Sequence, residues 1–181
     1  PVEDPLLRQL GTERRLLLVT AHRRESFGEP LAQMCRAIRD IVAHNPDLEV
    51  LYPVHPNPQV RAAVDGILQG QERIHCVAPL EYVHFGQMMR RAHLILTDSG
   101  GIQEEAPSLR KPVLVMREVT ERPEAVAAGG VQLVGSAYDA IVGGIQRLLD
   151  DADCYRRMST GNNPFGDGQA AQRIAQHLAQ L

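Results

Sequence analysis

The sequence predicts an α/β fold organised around a doubly wound parallel sheet. Strand-like and helix-like segments alternate along the chain, which implies parallel strands joined by right-handed crossovers. The strand-like segments are short continuous apolar runs, as expected of strands covered on both faces. The residues able to do chemistry gather just after those runs, where open α/β sheets bind their ligands.

Leu16 to Thr20 forms the first strand: too short for a helix and flanked by charge. Glu29 to Ala43 follows with Leu31, Met34, Cys35, Ile38, Ile41 and Val42 at the spacing of a helix with one buried face. The pattern then repeats. Strands are predicted at Glu49–Val54, Arg73–Val77, His93–Thr97, Pro112–Met116 and Val131–Val134. The helices between and after them are predicted at Pro58–Leu68, Tyr82–Ala92, Gly101–Ala106, Pro123–Ala128 and Tyr138–Leu149. Two further helices, near Asp151–Met158 and Gln169–Leu181, have no strand after them, and Pro164-Phe165-Gly166-Asp167-Gly168 between them reads as a turn. Residues 1–14 read as a linker and residues 15–181 as one domain, with no composition shift to mark a second. Pro1 to Pro5 is not a signal peptide. The lack of an initiator Met suggests a chain cut from something longer.

Composition narrows the function classes. The 181 residues can bury a sizeable core, and at 4% aromatic with no Trp that core must be aliphatic. A formal charge of −3 argues against nucleic acid as partner, so an anion site must be local. No apolar run approaches the roughly 20 residues of a membrane span. Cys35, Cys76 and Cys154 are odd in number and widely spaced, which disfavours a disulfide framework and suits a reducing cytoplasm. The histidines lack zinc-binding spacings, so no metal site is predicted.

The strongest chemical signal is Thr97-Asp98-Ser99-Gly100-Gly101, where a strand runs into a helix. Unpaired N–H groups and a partial positive charge at a helix start favour a phosphate. The two glycines let it approach the backbone, and Ser99 adds a hydroxyl donor that could also cap the helix; the same residues also read as a capped turn with glycines for geometry alone. Glu105, about one turn further on, suits ribose hydroxyls. No Lys-Ser/Thr follows the glycines, so this is not a P-loop, and no dinucleotide fingerprint supports a nicotinamide cofactor. His22-Arg23-Arg24-Glu25 follows the first strand and offers a proton-transferring imidazole and phosphate-gripping guanidinium groups, or simply a solvated charged loop. His55-Pro56-Asn57-Pro58 ends the second strand, where two prolines fix the direction of His55, either toward a ligand or simply as a rigid helix entry with an incidental histidine. Phe85 can pack on a base or in the core, and Arg122 can pair with phosphate or lie on the surface.

Together these segments resemble one family. Val19 to Gly28, Tyr52 to Pro58, Leu96 to Pro107, Thr120 to Glu124 and Asn163 to Gly168 stand in the order and spacing of the bacterial non-hydrolysing UDP-N-acetylglucosamine 2-epimerases. The resemblance implies a Rossmann-like domain that is the C-terminal half of a two-domain, GT-B-type architecture. The absent N-terminal domain would carry the acidic residues implicated in proton transfer. The implied reaction interconverts UDP-N-acetylglucosamine and UDP-N-acetylmannosamine by elimination and re-addition of UDP, without a cofactor.

By the same resemblance, Ser99, Gly100 and Gly101 bind the diphosphate, with His22, the catalytic candidate on this chain, and Arg122 assisting. Glu105 holds the ribose, and Phe85 with the Leu80 backbone flanks the uracil. Leu80 stands where some relatives have Gln. Arg23 and His55 match positions that contact a second, activating UDP-N-acetylglucosamine. The implied setting is cytoplasmic cell-envelope polysaccharide biosynthesis, with a full-length homodimer and an inactive isolated half. Rival readings of the same nucleotide grip are half of a hydrolysing 2-epimerase or GT-B glycosyltransferase, and a non-catalytic UDP-binding module.

Overall fold

The structure, a computed structural model, describes residues 4–23 and 26–180. Among the described residues six strands form one sheet: β1 Arg15–Thr20, β2 Leu48–Pro53, β3 Ile74–Val77, β4 Leu94–Thr97, β5 Val113–Val115 and β6 Val131–Leu133. All pair in parallel, in the order β3-β2-β1-β4-β5-β6. The doubly wound expectation holds. Winding runs outward from β1 to β3, then restarts at β4, so the switch point lies between β1 and β4. Ligand crevices open there, beyond the C-terminal strand ends.

The helices are α1 Pro5–Gln9, α2 Glu29–His44, α3 Pro58–Leu68, α4 Tyr82–Arg91, α5 Gly100–Glu105, α6 Pro123–Ala127, α7 Tyr138–Asp150, α8 Ala152–Ser159 and α9 Ala170–Leu178. The expected elements are present, most with ends shifted by only a residue or two. Alternation along β1 divides the core. Leu17 and Val19 pack with α2, α3 and α7, while Leu16 and Leu18 pack with α4, α5 and the residues of α1. Burial on both faces explains why β1 reads as an unbroken apolar run.

The linker expectation for residues 1–14 needs correction over its described part. Asp4 caps α1 by accepting from the N–H groups of Leu6 and Leu7, and Pro5 occupies the first turn. Leu7 and Leu10 are buried in the second core cluster. Gly11 N–H donates to Glu49 Oε1 at 2.7 Å, tying the segment to β2. Residues 1–3, and Arg24 and Glu25 of the first motif, lie outside the described residues. The late turn is present: Asn163 accepts from Phe165 N–H and donates to Gly166 O, with Gly166 and Gly168 at positive φ. Among the described residues no helix is long and apolar enough to cross a membrane.

Candidate functional site

The site assembles at the ends of β1, β2 and β4. Thr97, the last residue of β4, is buried; its hydroxyl lies 2.6 Å from that of Thr20 at the end of β1 and accepts from Ser99 N–H at 2.9 Å. That bond fixes the turn into α5. Ser99 occupies the N-cap position, but its side chain makes no capping hydrogen bond, so the expected cap is not formed. The hydroxyl lines a cavity instead. Gly100 and Gly101 open the helix, one residue earlier than expected. Their N–H groups precede any intrahelical acceptor and point outward from the helix start. A Cβ on Gly100 would lie 3.9 Å from Arg23 Nη2, so Arg23 is held beside this turn.

A cavity of about 240 Å³ is lined by Thr20, His22, His55, Leu80, Phe85 and Ser99, among others. Five residues singled out from separate stretches of sequence thus meet at the switch point. The His22 and His55 rings lie 6.4 Å apart at 19°. His55 Nδ1 accepts from Asn57 N–H at 3.2 Å, and Asn57 caps α3, so the prolines and this cap together aim the ring. Phe85 is half-buried: it packs against the core and also lines the cavity.

Glu105 and Arg122 sit outside that cavity. Glu105 ends α5 and accepts from Tyr82 OH at 3.0 Å; the carboxylate beside it raises the phenol pKa. It lines a larger polar cleft of about 900 Å³ with Arg110, Thr160 and the late turn from Asn163 to Gly168. Arg122 is held by Glu104 through its Nε, and that hydrogen bond pushes its pKa further up. Arg117 grips Glu121 through two hydrogen bonds of 2.5 and 2.8 Å, holding the Glu121 pKa down at about 2. The loop carrying Arg122 is therefore braced by paired charges.

Two buried groups add features that the sequence reading passed over. Gln103 is fully enclosed; its amide donates to Ser99 O at 3.1 Å and its carbonyl accepts from the Thr120 hydroxyl at 2.5 Å. The Thr120 oxygen in turn accepts from Arg122 N–H at 3.0 Å. A continuous hydrogen-bond chain thus links the α5 turn to the Arg122 loop. Asp98 is also fully enclosed, with Oδ2 accepting from the backbone N–H groups of His22 and Arg23 at 3.0 and 2.9 Å. Their positions directly after a strand and on a helix carrying acidic neighbours were visible, but not their partners. Among the described residues no three His, Cys, Asp or Glu side chains converge as a metal site.

Known proteins resemble this chain in sequence and in fold. The family model for UDP-N-acetylglucosamine 2-epimerase matches residues 2–179. A probable UDP-N-acetylglucosamine 2-epimerase of Ralstonia nicotianae is 55% identical over 166 residues, covering 92% of this chain and 44% of that protein. An S. aureus protein, MnaA, solved with UDP superimposes with a TM-score of 0.91 at 42% identity, over 95% of this chain and 47% of that one. The UDP-GlcNAc 2-epimerase of Neisseria meningitidis bound to UDP-GlcNAc gives a TM-score of 0.88 at 42% identity, over 93% and 45%. The chain spans somewhat under half the length of these relatives. On sequence and fold together, the chain belongs to the UDP-N-acetylglucosamine 2-epimerase family.

Proposed function

We propose that this chain is the UDP-binding half of an enzyme that interconverts UDP-N-acetylglucosamine and UDP-N-acetylmannosamine by eliminating and re-adding UDP. The observation that carries this reading is the meeting of His22, Leu80, Phe85 and Ser99 in one cavity at the switch point. It is supported by likeness to proteins solved with UDP and UDP-GlcNAc.

In this reading the diphosphate lies over the α5 turn. The Ser99 hydroxyl and the N–H groups of Gly100 and Gly101 donate to it. Arg122, steadied by Glu104, supplies positive charge from the adjoining loop. Phe85 and Leu80 form the apolar wall that takes the uracil. Glu105 keeps capacity to accept ribose hydroxyls while Tyr82 fixes its orientation. When the bond to the sugar breaks, negative charge builds on UDP, and donors already in place stabilise it without reorganising. His22 adds a donor whose proton can follow that charge. Proton transfer at the sugar falls to residues outside this chain, so the isolated chain binds UDP and turns over nothing. Arg23 and His55 serve a second, activating sugar nucleotide, a role supported by His55 sharing the cavity wall with His22. A cytoplasmic setting is supported by Cys35, Cys76 and Cys154 all being free.

Calorimetric titration with UDP tests the site. Removing a hydrogen bond to a charged group costs about 1.5–3 kcal/mol. Ser99→Ala and Glu105→Ala are therefore each expected to weaken UDP roughly 10- to 100-fold. Unchanged affinity in both variants would remove the site. Epimerase turnover by the isolated chain would overturn the half-enzyme reading.

A further inference from the structure

The α5 turn contains a carboxylate whose two oxygens are used unequally. Asp98 Oδ2 accepts from the N–H groups of His22 and Arg23 and from the Ser26 hydroxyl at 3.4 Å. Oδ1 is equally enclosed but has no hydrogen-bond partner among the described residues, and it lies 3.4 Å from His22 Nδ1. A buried carboxylate oxygen without a donor is costly, and that imidazole is a donor within reach of this one. The His22 ring, with its side chain about half exposed, lines the cavity.

We propose that Asp98 is a positioning residue for His22: it holds a proton on Nδ1 and so presents Nε2 to the cavity. A histidine with Nδ1–H directed at a carboxylate keeps Nε2 as the nitrogen that exchanges a proton. When the ring carries a second proton, Nε2 can donate to a departing diphosphate. Oδ2 meanwhile anchors the backbone that carries the ring, so ring and main chain are registered by one side chain. The use made of the Nε2 proton rests on the function proposed above; the tautomer itself does not.

The test is nitrogen NMR of the 15N-labelled chain at a pH where the ring is neutral, without ligand and then with UDP. In the wild type the expected pattern is a protonated Nδ1 and a bare Nε2 for His22. Asp98→Asn keeps one oxygen for the two backbone donors, which leaves its amide facing Nδ1. The proton is then expected to shift to Nε2. A role confined to anchoring the backbone leaves the pattern unchanged in this variant, and that result overturns the proposal. So does a wild-type His22 carrying its proton on Nε2, which decides the matter even if Asp98→Asn fails to fold. Addition of UDP is expected to move the Nε2 signal. If the expected tautomer is found but UDP leaves His22 unmoved, the dyad stands and the placement of the diphosphate fails.

Discussion

Replacing Thr120 by Val tests whether the two halves of the site are mechanically joined. Valine keeps the shape of threonine and puts a methyl where the hydroxyl was. That hydroxyl donates to Gln103 Oε1 at 2.5 Å and accepts from Arg122 N–H at 3.0 Å. Two bonds vanish, at about 1 kcal/mol each. Gln103 has no exposed surface, so its carbonyl is left without a donor, adding about 1 kcal/mol or more. Thr120 itself is half-buried, and water can partly repair the Arg122 N–H. The expected loss is about 2–3 kcal/mol. For a domain of this size that lowers the melting temperature by roughly 5–10 °C. Calorimetric melting of Thr120→Val beside Thr120→Ser, which keeps the hydroxyl, reads the difference. UDP affinity should fall in the valine variant, since Ser99 and Arg122 lose their link. A valine variant melting within about 1 °C of the wild type would refute the reasoning, because the chain would then be a coincidence of geometry.

Two further predictions concern stability away from the site. Leu7→Ala should destabilise by about 2–4 kcal/mol in urea unfolding, since Leu7 is buried against the core; a true linker would show no change. His93 stacks on Tyr155 with ring centroids 4.2 Å apart, and burial, helped by Arg15 and Lys111, pulls its pKa from 6.5 down to about 4. The unfolded chain therefore binds the extra proton between those values. Stability is full above pH 6.5 and falls as the pH drops toward 4, by about 2–3 kcal/mol from this group. His93→Phe keeps the stack and should flatten that part of the acid limb; equal slopes in wild type and variant would dismiss the mechanism.

The alternation of strands and helices was legible because it is local. Each strand of the sheet centre is buried on both faces, so its pattern is a plain apolar run, and each long helix shows one stripe. The places where chemistry would gather were legible for a related reason: a parallel sheet sends every strand end to the same edge. His22, His55 and Ser99 could be grouped from sequence once the sheet was granted. The segment around α1 was misread although it carried a signal. Asp4-Pro5 is a helix start, and Leu6, Leu7 and Leu10 are one apolar face. Five residues of helix are too few to show a period, and only packing against α4 and β1 decides that they fold.

Asp98 and Gln103 were illegible for a different reason. Both stand inside the most conspicuous motif, whose glycines and hydroxyl point to a ligand rather than to buried partners. An aspartate at a strand end looks the same in sequence whether it faces solvent, substrate or backbone. Its partners are the amides of residues some 75 positions earlier, brought near only because β1 and β4 are neighbours at the switch point. Gln103 likewise bonds Thr120, on a loop reached only after β5. The switch point therefore does more than open a crevice. It leaves two strand ends without a shared crossover, and buried side chains must register one loop against the other. Where sequence offers a phosphate turn and a histidine from different strands, the polar residue beside the turn is the place to look for what aligns them.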